Sequence, residues 1–177
     1  MLDSNFPEEK VFIAADHRGR DLLNYIIAHF PNFVNLGNGT NPGKNADPED
    51  DFNDAAIAVA RKIQENPDSR GILICGSAHG IAMQANRFQK IRAIAAYNPQ
   101  LAKIGRQHND ANVLCLSADF TEKTDNLKII ETFLSTPFLR KPRYLRRNLR
   151  LDENPVAKAE RPETVKNQPN QGDELWP

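Results

Sequence analysis

Two cysteines, Cys75 and Cys115, are all the thiol that this chain of 177 residues contains. Two cannot build a disulfide scaffold, and both lie in apolar, strand-like segments, so a reducing, cytoplasmic setting is expected. No Cys and His residues cluster at zinc-ligand spacing. Neither sign of charge is in excess: 23 Lys and Arg meet 23 Asp and Glu, for a formal net charge of +0. That excludes a general binder of nucleic acid or of anionic membrane, while leaving room for a local cationic cluster. No apolar run approaches the roughly 20 residues that cross a bilayer. The opening MLDSNFPEEK is polar and acidic, so no secretory signal is expected there. No repeat of fixed period is found. What remains is 40% hydrophobic and 26% charged, the composition of a soluble globular protein, at a length that suits one domain with a substantial core.

Short apolar runs alternate with helical spacing along the chain. Val11–Ala15, Phe33–Leu36, Ile72–Cys75, Arg92–Ala96 and Asn112–Leu116 read as strands. Leu22, Leu23, Ile26, Ile27 and Phe30 recur at helical spacing before Pro31. Ala55, Ala56, Val59, Ala60 and Ile63 form a second stripe, with Asp54 as the expected cap. Further helices are expected over Ala82–Arg87, from Pro99 through Gly105, and around Leu127–Leu134 ahead of Pro137. The strands are continuously apolar, so both faces of the sheet are covered and the strands run parallel. The expected fold is α/β: a doubly wound, Rossmann-like, three-layer αβα sandwich on a five-stranded parallel sheet. A basic segment, Arg143–Arg150, reads as a last helix and closes a domain of residues 1–151. Residues 152–177 are polar and proline-spaced and read as a flexible tail. The Gly-, Asn-, Pro- and Asp-rich GNGTNPGKNADPEDD reads as a loop.

In such folds ligands bind beyond the carboxyl ends of the strands. There stand Asp16-His17 and the stretch GILICGSAHGI, residues 71–81. Cys75 ends a buried strand and runs into Gly76, Ser77, Ala78, His79 and Gly80. Burial raises a thiol's pKa, and the start of the next helix lowers it; a modest net fall from about 8.5 would leave thiolate near neutrality. Backbone amides of small residues form a good oxyanion site. A buried cysteine before a tight turn fits the same residues. Asp16 could accept from sugar hydroxyls or cap the helix that follows, and His17 could donate to a phosphate. His108 could act as general acid or base, and Asn109 could pair with a hydroxyl; a His satisfying helix-end carbonyls fits equally. His29 reads as a surface residue. Arg143 and Arg147, four apart, share a helix face and could hold a phosphate between them, or simply be solvated.

Four stretches together resemble the type B ribose-5-phosphate isomerase family, which includes galactose-6-phosphate isomerase subunits. They are Ile13–Gly19 (IAADHRG), Asp51–Ala55 (DFNDA), Gly71–Arg87 (GILICGSAHGIAMQANR) and Arg106–Leu114 (RQHNDANVL). The resemblance covers roughly Lys10 to Leu151. It implies an aldose–ketose isomerase of sugar phosphates working through an enediolate without metal or organic cofactor. It also implies a homodimer or homotetramer with sites at the subunit interface, and ribose 5-phosphate as the leading substrate. Carried over by motif, Cys75 is the base, the amides of Gly76 to Gly80 hold the enediolate oxygen, and Ser77 stands beside the base. His108 opens the furanose ring, Asn109 and Asp16 hold hydroxyls, and His17, Arg143 and Arg147 grip the phosphate. Members that use a glutamate just after the glycine loop differ here, where Ile81 stands.

Two departures bear on the site. Ala78 replaces a glycine, and its Cβ disfavours positive φ, so the oxyanion loop is expected to sit differently. Asp119 stands where members commonly carry a phosphate-reaching Arg; a carboxylate there repels phosphate unless it turns away or pairs with an Arg. Alternatives are therefore an isomerase for another four- to six-carbon sugar phosphate and a non-catalytic sugar-phosphate binder. A dinucleotide oxidoreductase is disfavoured because the loop after the first strand lacks the three-glycine fingerprint.

Overall fold

A computed structural model describes residues 9–37 and 51–152. The loop and tail expected within 38–50 and 153–177 lie outside the described residues. Strand β1 (Val11–Ala15) is followed by α1 (Arg20–His29), β2 (Val34–Asn35), α2 (Phe52–Glu65) and β3 (Arg70–Cys75). Then come α3 (His79–Ala85), β4 (Ala93–Ala95), α4 (Pro99–Asn109), β5 (Val113–Ser117), α5 (Lys123–Ser135) and α6 (Pro142–Asp152). All strand pairs are parallel, in the order β2-β1-β3-β5-β4. The doubly wound five-stranded αβα sandwich expected from the continuously apolar strands is therefore what forms.

Successive strand residues point to opposite faces. Phe12, Ala14, Leu73, Cys75, Val113 and Cys115 pack under α2 and α3. Ile13, Ala15, Ile72, Ile74, Leu114 and Leu116 pack under α1, α4 and α5. Gly71 enters β3 where an added Cβ would meet Val59 Cγ1 at 2.6 Å, so α2 lies directly on the strand. Helix α2 starts earlier than the apolar stripe indicated. Asp51 occupies the N-cap position, and Asp54 lies inside the first turn rather than capping it. At the other end of the site-bearing half, Asn98 caps α4 by accepting from the Leu101 amide at 2.9 Å, with Pro99 at the first helical position. No helix among the described residues is long and apolar enough to cross a membrane.

Candidate active site

The chain leaves β1 toward β2 on one side of the sheet and returns to β3 on the other. The strand order thus reverses between β1 and β3, which opens a crevice at their carboxyl ends. Ala15 pairs with Ile74, so the next residues, Asp16 and Cys75, stand side by side in that crevice. Asp16 is buried and its Oδ1 accepts the amides of Arg18 and Gly19, each at 3.0 Å. These bonds build the turn before α1, whose N-cap is Gly19 rather than Asp16. Burial outweighs those bonds and pushes the Asp16 carboxyl above its usual pKa. His17 is half-buried beside it.

Past Cys75 the backbone bends tightly into α3. Ala78 takes φ 68° and ψ −13°, the left-handed region, at the N-cap of α3. Ala78 adopts the positive φ that its side chain disfavours, at a cost of about 1–2 kcal/mol. Its methyl group is fully buried in the core under α2, which offsets part of that cost. The bend turns the Ala78 amide onto Cys75 Sγ at 3.1 Å, and the amides of Ser77 and Ile81 act on the sulfur as well. Gly80 lies flat against the ring of Phe52, where a Cβ would meet Cζ at 2.8 Å. Of the two opposing influences on the Cys75 pKa, the one that raises it prevails. Burial is the largest influence, the charge of Asp16 adds to it, and together they hold the thiol above its ordinary value despite the three amides. Cys115 lies deeper, fully buried, with its thiol pushed further up by burial. That makes it an inert core residue.

Two residues join this crevice that local sequence patterns did not single out. Tyr97, just past β4, donates its hydroxyl to the Ser77 carbonyl at 2.6 Å and lies 3.0 Å from His79 Nε2. Its position beyond a strand's carboxyl end was the available signal. Arg18 reaches across from the loop after β1 to Asp119 in the loop after β5, with Nε at 3.0 Å and Nη2 at 2.6 Å from Oδ2. The pair lies over Gly76, where a Cβ would come within 2.8 Å of both Arg18 Nε and Asp119 Oδ2. The carboxylate of Asp119 is thus matched by a guanidinium. No local signal links residues 101 positions apart.

The remaining candidates stand elsewhere. Helix α4 runs antiparallel to the strands, and its 11 residues carry His108 and Asn109 about 16 Å away from the crevice, to the amino edge of the sheet. The neighbours of that helix end confirm the position: Arg92, before β4, donates to the carbonyls of Asn109 and Asp110 at 3.0 and 2.9 Å. The His108 ring stacks on Tyr144 with centroids 4.4 Å apart. Tyr144 and Asn148 are the buried residues by which α6 docks on α4, and Asn148 donates to the His108 carbonyl at 3.4 Å. Arg143 and Arg147 are exposed, and Arg143 donates to Tyr144 Oη at 2.8 Å. Within one chain the candidate residues therefore fall into two groups. Cys75, Gly76, Ser77, Ala78, His79, Gly80, Asp16 and His17 lie at the carboxyl edge, and His108, Asn109, Arg143 and Arg147 at the other. Two shallow depressions, one lined by Glu9, Lys10 and Asn66 to Ser69 and one by Gln64, Gln89 to Arg92 and Asn112, also lie at the amino edge, away from Cys75.

Comparison with known proteins follows this geometry. The chain is 39% identical over 132 residues to the probable ribose-5-phosphate isomerase B of Mycoplasma pneumoniae, covering 72% of this chain and 84% of that protein. It is 30% identical over 142 residues to ribose-5-phosphate isomerase B of Mycobacterium tuberculosis, covering 78% of this chain and 85% of that one. Among solved structures it is similar to ribose-5-phosphate isomerase B from Mycoplasma genitalium with bound ribulose-5-phosphate, at a TM-score of 0.74 and 36% identity over 82% of this chain and 95% of that chain. A family model, Ribose/Galactose Isomerase, matches residues 11–151. That match runs from the first residue of β1 into the last turn of α6, and the chain belongs to the ribose/galactose isomerase family.

Proposed function

We propose that this protein interconverts ribose 5-phosphate and ribulose 5-phosphate, with Cys75 as the proton-transfer base. The observation that carries the reading is the Ala78 amide turned onto Cys75 Sγ at 3.1 Å, in the crevice where the strand order reverses. The thiolate takes the C2 proton of the open-chain aldose. The C–H electron pair becomes the C1–C2 double bond, and the carbonyl pair moves onto O1. Loss of the O2 proton, protonation of O1 and return of the carried proton to C1 then give the ketose. Charge on the enediolate oxygen is met by amides in the run Gly76 to Gly80, with Ser77 beside the base. Asp16, buried and already ordered by two amides, suits a hydroxyl of the sugar.

The second half-site enters from another copy of the chain, as a homodimer or a larger even assembly. The separation of Cys75 from His108 within one chain supports this, since no side chain spans it. In that arrangement His108 of a second copy opens the furanose ring, its Asn109 holds a hydroxyl, and its Arg143 and Arg147 grip the phosphate together with His17. A cytoplasmic location accords with a thiol that must stay reduced. Pairing of Asp119 with Arg18 and the positive φ of Ala78 speak against a non-catalytic binder.

The test is turnover of ribose 5-phosphate followed by NMR in the presence of a chelator, with Cys75→Ala and Cys75→Ser alongside. The parent is expected to form ribulose 5-phosphate. The variants should lose about 10³-fold or more in kcat, the scale on which loss of a positioned base is felt. Absence of turnover in a folded parent would overturn the substrate, and survival of turnover in Cys75→Ala would overturn the base.

A further inference from the structure

One peptide unit in the crevice is held from both ends. The Ser77 carbonyl accepts from Tyr97 Oη at 2.6 Å, and the amide of the same unit, from Ala78, donates to Cys75 Sγ at 3.1 Å. A peptide is planar and conjugated, so fixing its carbonyl fixes the direction of its N–H. Hydrogen bonds in series also polarise one another, so a donor on the carbonyl strengthens the amide as a donor. The unit leads directly into Ala78 at φ 68°, a conformation that an alanine leaves readily unless its surroundings hold it. Tyr97 arrives at this point from beyond β4, two strands from β3 in the sheet, so the contact ties the bend to a separate element. The phenol has one proton, and it goes to Ser77. The phenol oxygen also lies 3.0 Å from His79 Nε2.

We infer that Tyr97 is a positioning residue of this site: its hydroxyl holds the Ser77–Ala78 peptide so that the Ala78 amide is aimed at the Cys75 sulfur. The inference rests on Cys75 being the working base, but its test does not. The other groups acting on Cys75 are the Ser77 and Ile81 amides, Asp16 from the loop after β1, and Cys115 from β5. The Arg18–Asp119 pair lies over the neighbouring Gly76, and Phe52 of α2 closes the loop from the side without a titratable group. None of these changes when the Tyr97 hydroxyl alone is removed, although His79 loses its contact with the phenol oxygen.

The experiment measures alkylation of Cys75 by iodoacetamide against pH, read by mass spectrometry, in the parent, in Tyr97→Phe, and with 3-fluorotyrosine placed at position 97 alone. Removing the donor should slow alkylation near neutrality by about 3- to 10-fold and move the profile to higher pH, the scale of one lost hydrogen bond. The fluorinated phenol is a stronger donor while it stays protonated and should speed alkylation near neutrality, where the comparison is read. In turnover, Tyr97→Phe should lower kcat and shift its acid limb upward while leaving KM within about twofold. Unmoved alkylation profiles in both substituted proteins would overturn the role of Tyr97. Alkylation rates near neutrality that change in opposite directions uphold it even if the parent does not isomerise ribose 5-phosphate, so failure of the substrate reading and failure of this inference are told apart.

Discussion

Asp16 carries opposite demands from folding and from function. The residue is 4% exposed and its carboxyl pKa is raised chiefly by burial. A carboxyl with a folded-state pKa above its unfolded value stabilises the fold below that unfolded value, about 3.9. The contribution is lost as pH rises through the folded value, so at neutral pH the ionised group is a net cost. Asp16→Asn keeps an oxygen for the Arg18 and Gly19 amides and removes the charge. It should raise the melting temperature at pH 7 by a few degrees, with the gain shrinking toward zero below the ordinary carboxyl range. Activity on ribose 5-phosphate should fall by about 10- to 100-fold, since a neutral amide meets a sugar hydroxyl less strongly. Thermal melts across pH would overturn the argument if the gain were the same at pH 3 and pH 7. Cys75 obeys the same sign in its chemistry. A thiol held above its ordinary pKa supplies more base as pH rises, so turnover should climb through neutrality rather than peak there.

At the level of elements, the sheet was legible because each strand is buried on both faces and therefore continuously apolar. The exceptions are the two edge strands: β4, with Ile94 and Ala95 half-buried, and β2, with both residues exposed, whose flanking Phe33 and Leu36 made the run look longer than the Val34–Asn35 pair that forms. The Arg18–Asp119 contact was not legible, because a cross-loop ion pair leaves no trace in spacing. Its consequence can be measured. Both side chains are partly exposed, 56% and 33%, so the pair adds no more than about 1 kcal/mol to stability. Under the proposed function, its larger effect is on the charge that the sugar phosphate meets as it enters the crevice. Arg18→Ala leaves the Asp119 carboxylate bare and should raise KM about 3- to 10-fold, an effect that shrinks in high salt. Arg18→Ala combined with Asp119→Ala should recover most of that loss. Equal KM values for the single and double variants would show that the carboxylate does not face the phosphate.

Over the whole molecule, the motif residues were legible but their partition was not. RQHNDANVL and the Arg143–Arg150 segment read as companions of Cys75, yet helix geometry sends them to the opposite edge of the sheet, because α4 must run back against the strands before β5 can begin parallel. If two copies complete each other, a C2 interface carries two equivalent sites, each with one half from each chain. Complementation follows by counting. Under the proposed function, Cys75→Ala and His108→Ala proteins should each be inactive or nearly so. Unfolded together and refolded at equal concentration, about half of the dimers are mixed. In a mixed dimer one site combines both lesions, and the other combines an intact Cys75 with an intact His108. One site in two, in half of the molecules, predicts recovery to about a quarter of the parent's activity. Refolding the two proteins separately before mixing should recover nothing until subunits exchange. Activity that stays at the sum of the two variants after joint refolding, with mixed dimers demonstrated by native mass spectrometry, would mean that Cys75 and His108 serve no common site.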